Sequence, residues 1–380
     1  MLNYNTMRNS NFIFVLLGLL LCSCGSKEVV ERVDTFFTPD EYKIVRPTVD
    51  TTKTLTLEEL PIEVFGAKKI AVKDSLLFTT TTNEKAFGSI VNLNTNNIVA
   101  QVAPLGRGPG DFNILLTPKQ FWYNENGELI VNAYDSRALK PINITKSIEE
   151  KGSFVEYNKK FSDIYKYEQG FADRIALKLG NEEYFIFQNI SYRDARENKF
   201  FPARYIIKTP NEQYDFDIYK DVPTSEDDEM LPTKLEGRIV LIKPDCRKVV
   251  DISGPLDYIN IINIEQRKVT SIIEPTTPCY DKLGNMDLFT NLKNGVLDAD
   301  VTDKYILILY DGRTRDDIIA KKEATISLRV YDWNGNFIRA AKFPQMIINQ
   351  MAVDGDNNIA YFLNRHEEKF YRCDLSELLK

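Results

Sequence analysis

From about Leu55 to the C-terminus, short runs of β-branched and aromatic residues alternate with turns rich in Gly, Asn, Asp and Pro. Runs of this composition, bounded by such turns, are typical of β-strands. The runs group into six similar units of about 50 to 65 residues, most of them with four runs. No segment of helical periodicity of any length interrupts them; only residues 375–379 are compatible with a helical turn. The chain is therefore predicted to be all-β and built from one repeated module.

Four-stranded units repeated at this period are typical of the blades of a β-propeller. In the first unit the predicted strands are residues 69–72, 76–79, 89–93 and 98–102. The later units begin near Gln120, Arg174, Arg238, Val296 and Gln350. In the fifth unit the pair Asn334-Gly335 predicts a tight hairpin turn. A β-helix would need a shorter period, and a pair of β-sandwiches gives no reason for six similar units.

The last unit contains only three runs before the chain ends. A fourth strand taken from residues 54–60, before the first unit, would complete it. Such a strand joins the first and last blades and removes the open edge of the ring. We therefore expect a six-bladed β-propeller with four-stranded blades over residues 53–380, closed by an N-terminal strand.

The first residues have the pattern of an export signal. Arg8 is followed by an almost wholly apolar run, residues 12–21, which is too short for an ordinary membrane span. The run ends in Leu21-Cys22-Ser23-Cys24, which resembles the lipobox of bacterial lipoproteins, in which the cysteine becomes the lipidated first residue. Residues 1–23 are then a signal peptide, with Met7 as an alternative start, and Cys24 is the lipidation site. A plain signal peptide with a chance cysteine is the alternative.

Residues 24–52 are polar and charged without sustained periodicity, and we interpret most of them as a flexible tether. The formal net charge is −7 and argues against nucleic acid, because phosphates require a basic surface. Downstream of Cys24 there are three cysteines, Cys246, Cys279 and Cys373, so at most one disulfide can form, and its pairing stays open.

Two segments carry a resemblance to a known family. Residues 105–112 read LGRGPGDF, and residues 141–148 read PINITKSI. Both are similar to segments of the TolB-like six-bladed propeller lipoproteins of Bacteroidetes, and the glycine motif is the specific one. The resemblance implies the propeller fold and the lipid anchor. It implies no particular activity, since the function of that family is largely unassigned.

The glycine motif is also the sharpest candidate for chemistry. Backbone N–H groups of Gly106, Gly108 and Gly110, with Pro109 between them and Arg107 beside them, would suit an anion. The alternative, which we favour, is a crossing between blades in which the glycines adopt positive φ and let strands approach. Residues 354–358 begin like a calcium loop but lack its later ligands, so a tight turn is favoured. The acidic run 225–229 is expected to be a solvated loop.

Long loops on a rigid ring are the usual place for contacts with partners. Insertions at residues 193–199 and 313–317 nominate Arg193, Arg313 and Arg315 as candidate binding residues, together with Arg107. Trp333 lies in a turn and is a further candidate, whereas Trp122 lies in an inner-strand run and is expected to be buried. The single histidine, His366, is expected to be exposed.

No catalytic constellation and no metal site is predicted. The first functional hypothesis is a non-catalytic binding module that contacts a protein, peptide or glycan of the cell envelope. The alternative is a propeller hydrolase of the lactonase or esterase type, for which calcium would be needed as a cofactor. Its ligands would be side chains near the starts of inner strands, namely Asp173, Asp298, Asp300 and Asn349. Gly25 after Cys24 favours the outer membrane, and the membrane face stays open.

Overall fold

The computed structural model describes residues 38–83, 85–165, 174–188, 191–194, 199–201, 204–216, 238–254, 256–275, 293–323, 326–344 and 346–380. The predicted signal peptide, Cys24, Asp173, Cys279 and the acidic run 225–229 lie outside these residues. No helix in the described ranges is long and apolar enough to cross a membrane.

The described chain forms a six-bladed β-propeller of antiparallel sheets, as the sequence predicted. Three short strands precede the first complete blade: β1 (Glu41–Ile44), β2 (Asp50–Thr54) and β3 (Glu58–Leu60). Blade one contains β4 (Ala67–Lys73), β5 (Leu76–Thr81), β6 (Ala86–Asn92) and β7 (Asn97–Pro104). In each blade the first strand lies nearest the ring axis and is called the inner strand.

Blade two is the least regular. Its strands are β8 (Phe121–Tyr123), β9 (Leu129–Val131), β10 (Ala138–Leu139), β11 (Ile142–Asn143) and β12 (Lys159–Lys160). Two short helices interrupt it: α1 (Ile144–Glu149) and α2 (Phe161–Ile164). The fourth strand expected at residues 154–157 is reduced to a single bridge between Ile142 and Val155. Helix α1 begins at Ile144 because the side chain of the preceding residue, Asn143, accepts a hydrogen bond from the Lys146 N–H and so caps the N-terminus of the helix.

Blades three and four follow the predicted pattern. Blade three contains β13 (Arg174–Gly180), β14 (Glu183–Gln188), β17 (Arg204–Lys208) and β18 (Gln213–Phe216). An extra hairpin, β15 (Ser191–Asp194) with β16 (Lys199–Phe201), occupies the predicted insertion. Blade four contains β19 (Arg238–Ile242), β20 (Lys248–Ser253), β21 (Tyr258–Asn263) and β22 (Lys268–Ile273).

Blades five and six complete the ring. Blade five contains β23 (Lys293–Val301), β24 (Tyr305–Thr314), β25 (Ile326–Asp332) and β26 (Phe337–Lys342), with helix α3 (Arg315–Ile319) after β24. Blade six contains β27 (Gln350–Asp354), β28 (Ile359–Asn364) and β29 (Lys369–Asp374). Its fourth strand is β3, which pairs antiparallel with β29 so that Leu60 lies opposite Phe370. The predicted closure by an N-terminal strand is therefore confirmed.

The segment before β3 differs from the expected tether. Strand β1 pairs in parallel with β22, the outermost strand of blade four, and β2 pairs in parallel with β26, the outermost strand of blade five. The N-terminal segment thus follows the outer edges of blades four, five and six in turn. Composition did not reveal this pairing because an edge strand satisfies main-chain groups and needs few apolar side chains. In β1 the side chains are mostly exposed.

The core lies between adjacent blades. Leu77 and Val91 of blade one pack with Leu363 and Phe370 of blade six, and the other interfaces are built in the same way. The middle strands of a blade are covered on both faces, which explains their continuous apolar runs; all four residues from Ile306 to Leu309 are buried. We call the end of the ring where inner strands begin the entry face and the end where they finish the exit face.

Candidate functional site

A cavity of about 680 Å³ lies at the exit face, around the ends of the inner strands. Five of the six blades line it. Their contributions include Lys73 of blade one, Trp122 of blade two, Cys246 of blade four, Thr302 of blade five and Asp354 of blade six. This cavity, called the exit pocket below, is where the blades converge on the ring axis.

An aromatic wall comes from the short inner strand of blade two. Phe121, Trp122 and Tyr123 all line the exit pocket. The expectation that Trp122 is buried is wrong: its ring is half-buried, and the Lys178 ammonium lies 5.4 Å from the ring centroid. Tyr123 is 52% exposed, and its hydroxyl donates to the carboxylate of Asp74. Exposure increases along strand β8, from the partly buried Phe121 and Trp122 to the exposed Tyr123.

A buried lysine crosses the channel beneath the pocket. The Lys119 ammonium donates to Asp298 Oδ2 at 2.6 Å and to the carbonyl oxygens of Ala299 and Met351 at 2.9 and 2.6 Å. Both side chains of the Lys119–Asp298 pair are less than one-tenth exposed. Asp298 also accepts the Met351 N–H at 2.8 Å. Lys119 therefore joins the connection before blade two to the inner strands of blades five and six.

Asp300 lies two residues after Asp298 in β23 and lines the exit pocket. Its two carboxylate oxygens accept the N–H groups of Val353 at 2.7 Å and Val301 at 2.8 Å. Burial raises the pKa of Asp300 to about 6, although Lys119 and the two N–H groups act in the opposite direction. Asp298 and Asp300, two of the predicted calcium ligands, are thus already engaged by Lys119 and by backbone amides.

A second polar contact holds the inner strands of blades two and three together. The side chain of Gln120 accepts the Lys178 N–H at 2.8 Å and donates to the Lys178 carbonyl at 2.5 Å. Asn132, fully buried, donates to Gln120 Oε1 at 2.8 Å. Sequence reasoning did not single out Lys119 or Gln120, because a polar residue just before a short apolar run resembles an ordinary loop residue.

The glycine motif closes on itself. The Asp111 carboxylate accepts the Gly108 N–H at 2.7 Å, so the loop's own side chain occupies the place of an external anion. A Cβ at Gly106 would lie 2.2 Å from Asp111 Oδ2, whereas nothing lies within 4 Å of one at Gly110. The expected positive φ is wrong, since none of these glycines adopts it. The Pro109 carbonyl accepts the Asn158 amide at 2.8 Å and anchors the loop to blade two.

The four candidate arginines lie in three different parts of the fold. Arg107 is exposed at the tip of the glycine loop. Arg193 lies in β15 and Arg315 opens α3, and the side chains of both fall outside the described set. The guanidinium of Arg313 is held by both carboxylate oxygens of Asp311 and by the Lys322 carbonyl at 3.1 Å. Arg313 therefore stabilises its own loop.

Two further expectations concern single aromatic residues. The basis on which Trp333 was a binding candidate, its exposure in a turn, is not observed: Trp333 is 6% exposed. The indole N–H donates to the Thr302 carbonyl at 2.9 Å, and the ring packs between blades four and five. The turn itself is confirmed, with Gly335 at φ +82°. His366 is exposed, as expected. Residues 355–358 form the turn between β27 and β28, and no metal-binding cluster of His, Cys, Asp or Glu occurs among the described residues.

Comparisons with known proteins support the fold alone. No family model matches the chain, and no curated protein matches it. A crystal structure of a Bacteroides fragilis protein described as exported has 11% sequence identity and a TM-score of 0.50, and the match covers 88% of this chain and 98% of that one. The Chaetomium thermophilum Raptor structure has 9% identity and a TM-score of 0.44 over 85% of this chain and 28% of that one. At 11% identity the similarity to the Bacteroides fragilis structure indicates a shared architecture alone.

Proposed function

We propose that the chain is an envelope lipoprotein of the TolB-like propeller type whose ring is a non-catalytic binding module for a protein, peptide or glycan. The lipobox ending at Cys24 and the motif at residues 105–112 support the anchor and the family. The structural similarity to a protein described as exported agrees with this location. Gly25 after the lipidated cysteine supports the outer membrane as the place of anchoring.

The observation that carries the binding role is the half-buried ring of Trp122 in the wall of the exit pocket. The pocket volume of about 680 Å³ falls within the range of small-ligand sites. An aromatic ring kept partly in water forgoes the free energy of full burial, and such rings are enriched where proteins bind ligands. We infer that one end of the ligand, such as a peptide terminus or a sugar unit, enters the pocket and stacks on Trp122.

The rim of the pocket supplies charges of both signs. Asp303 and Lys304 are exposed in the turn between β23 and β24, and neither side chain has a partner among the described residues. Lys73 and Asp356, which face each other across blades one and six, are paired at 2.7 Å. A polar rim around an aromatic wall favours a ligand with hydrogen-bonding groups over a purely apolar one.

The calcium-assisted hydrolase receives less support. Calcium requires six to eight oxygen ligands, mostly carboxylates and carbonyls free to coordinate it. Asp298 is neutralised by the Lys119 ammonium, and both oxygens of Asp300 accept backbone N–H groups. Residues that already hold one another in this way would have to lose these hydrogen bonds before they could bind a cation.

The test is a pull-down of the full chain from its own cell envelope, followed by binding measurements with the captured peptide or glycan. Trp122→Ala should reduce binding about tenfold or more, since loss of an aromatic anchor commonly costs more than 1 kcal/mol. Phe65→Ala is the matched control, because Phe65 is 81% exposed and lies at the entry face. Loss of binding in Phe65→Ala with normal binding in Trp122→Ala would overturn the assignment to the exit pocket.

A further inference from the structure

A second cavity, of about 330 Å³, lies at the entry face between blades six and one. The start of β4, the connection after β5, the residues before β27 and the turn between β28 and β29 surround it. The polar side chains in its lining are Lys68, Thr82, Asn349, Arg365, His366 and Glu368. None of these belongs to the exit pocket. We call this cavity the entry pocket.

The entry pocket carries more positive charge than its own acidic residue can balance. Lys68 and Arg365 are full cations, and among the described residues neither side chain makes a hydrogen bond or an ion pair. The single carboxylate in the lining, Glu368, accepts the Gly66 N–H at 2.9 Å. Glu367, in the same turn, is exposed and does not line the cavity.

Three neutral side chains in the lining can donate hydrogen bonds: Thr82, Asn349 and His366. Asn349 Oδ1 accepts the Arg365 N–H at 3.2 Å, which leaves the amide nitrogen of Asn349 as a donor without a partner in the described part of the chain. The Thr82 hydroxyl and the ring of His366 are likewise without a described side-chain partner. Donors that have no described side-chain partner, beside two cations and a single carboxylate, favour a ligand rich in acceptor oxygens.

The charge of the whole chain makes this cluster unusual. The formal net charge is −7, and two lysines of the channel and exit pocket are paired with carboxylates: Lys73 with Asp356 and Lys119 with Asp298. Two cations against one carboxylate, on an otherwise acidic protein, produce a local positive potential that attracts anions. A guanidinium presents its N–H groups in a planar fork that matches two oxygens of a phosphate or sulfate.

We propose that the entry pocket binds a phosphate or sulfate group, with Arg365 and Lys68 as its cationic ligands and Thr82 and Asn349 as neutral donors. Lys69, on the neighbouring position of β4, agrees with this assignment. Burial lowers the pKa of Lys69, Asp298 raises it, and the nearby cations Lys119 and Arg365 lower it further. An anion beside Arg365 would offset this repulsion between cations in the channel.

The single histidine of the chain provides a site-specific probe. The imidazole resonances of His366 in the full chain are followed by NMR during titration with inorganic phosphate, at fixed pH and with sodium chloride replaced to hold ionic strength constant. A saturable shift is expected with phosphate and with sulfate. No saturable shift, or an equal shift with acetate, would overturn the proposal. Glucose 6-phosphate separates a free ion from the phosphate end of a larger ligand: weaker binding than phosphate assigns the site to the free ion.

Variants test the named ligands. Arg365→Gln and Lys68→Gln should each weaken phosphate binding roughly tenfold, which corresponds to about 1.4 kcal/mol for a charge-assisted hydrogen bond. Arg247→Gln is the matched control, because Arg247 is exposed in the turn between β19 and β20 at the exit face and the variant removes the same charge. Equal weakening of phosphate binding in Arg247→Gln would show that the effect depends only on the net charge of the protein, and would contradict a specific site in the entry pocket.

A second measurement does not depend on His366, whose NMR signal could change simply because its neighbour Arg365 is substituted. Phosphate should raise the melting temperature of the wild-type chain and of Arg247→Gln, and should not raise that of Arg365→Gln. Trp122→Ala should retain the phosphate response, because Trp122 belongs to the exit pocket. Failure of the exit-pocket assignment and failure of the phosphate site are therefore distinguishable.

Discussion

The Lys119 ammonium lies 2.6 Å from Asp298 Oδ2, and the two residues belong to opposite sides of the ring. Lys119 precedes the inner strand of blade two, and Asp298 lies in the inner strand of blade five, three blades away. Blades in a propeller otherwise contact only their neighbours, as the core clusters between adjacent blades show. The pair is thus a connection across the channel. Lys119 also donates to the Ala299 carbonyl in blade five, and its bond to the Met351 carbonyl extends the connection to blade six.

Lys119→Met should lower the free energy of unfolding by about 3 kcal/mol or more, because it leaves the buried Asp298 carboxylate without its cation. The double variant Lys119→Met/Asp298→Asn should lose less than the sum of the two single variants. Urea unfolding measures all three. Lys85→Met is the control, since Lys85 is exposed in the connection after β5. Additive losses would show that the two residues stabilise the ring independently.

Asp300 should make the stability depend on pH. Its pKa in the folded protein is about 6, above the ordinary value of 3.8, so near pH 5 the folded chain holds a proton that the unfolded chain has released. The free energy of unfolding is therefore expected to fall as the pH rises from about 4 to about 6, by up to about 3 kcal/mol from this group. Asp300→Asn should remove that part of the slope, whereas Asp303→Asn, an exposed neighbour, should preserve it. An unchanged slope in Asp300→Asn would contradict the assignment.

The closing strand β3 should be part of the cooperative unit. Leu60 is 8% exposed and packs with residues of blades one and six. Leu60→Ala should cost about 2 to 3 kcal/mol in the free energy of unfolding, as for other buried leucines. Arg372→Ala removes the exposed ion pair with Glu58 in the same strand pair and should cost less than about 1 kcal/mol. Equal small effects of both variants in chemical denaturation would indicate that β3 is not needed to close the ring.

The two glycines at the ends of the GRGPG loop should differ in their tolerance of alanine. A Cβ at Gly106 would displace the Asp111 side chain and break its hydrogen bond with the Gly108 N–H. Gly106→Ala should therefore lower the melting temperature by about 1 to 3 °C, corresponding to about 1 to 2 kcal/mol. Gly110→Ala meets no atom within 4 Å and has no positive φ, so it should be neutral or slightly stabilising. A larger loss in Gly110→Ala would contradict the role given to Asp111.

The proposed membrane anchor is tested at the predicted lipobox. Cys24→Ala should release the protein from the membrane fraction, because no lipid can then be attached to the mature N-terminus. Cys22→Ala, two residues earlier in the same signal, should remain with the membranes. Sedimentation of cell fractions and detection of the chain measure both. Continued sedimentation of the Cys24→Ala protein with membranes would rule out the lipoprotein assignment.

The strand pattern could be predicted from local sequence because strand residues and turn residues differ in composition. Most predicted strands match the observed ones within a few residues, and the Asn334-Gly335 turn lies where it was expected. Blade two was the exception: Asn143 caps a helix where a continuous strand from 138 to 144 was expected. Asn both ends strands and begins helices, so the local pattern was ambiguous there.

The environment of single side chains was harder to predict. The two tryptophans show this. Trp122, in a strand, was expected to be buried and lines a cavity, whereas Trp333, in a turn, was expected to be exposed and is buried. Their local sequences do not show whether a neighbouring blade covers the ring. In sequence, Lys119 and Arg365 both resemble solvated loop cations. In the structure, Lys119 is buried and paired with Asp298, whereas Arg365 lines the entry pocket.

The number of blades, most of their strands and the closing strand follow from the amino-acid sequence, because periodicity and turn composition are local properties repeated along the chain. Which residues meet at the axis, where the N-terminal segment runs along the outer edges, and which charges are paired become visible only in the folded chain. Those contacts join residues far apart in sequence, such as Lys119 with Asp298 and Lys73 with Asp356. They depend on how the ring closes, which brings the inner strands of all blades around one channel.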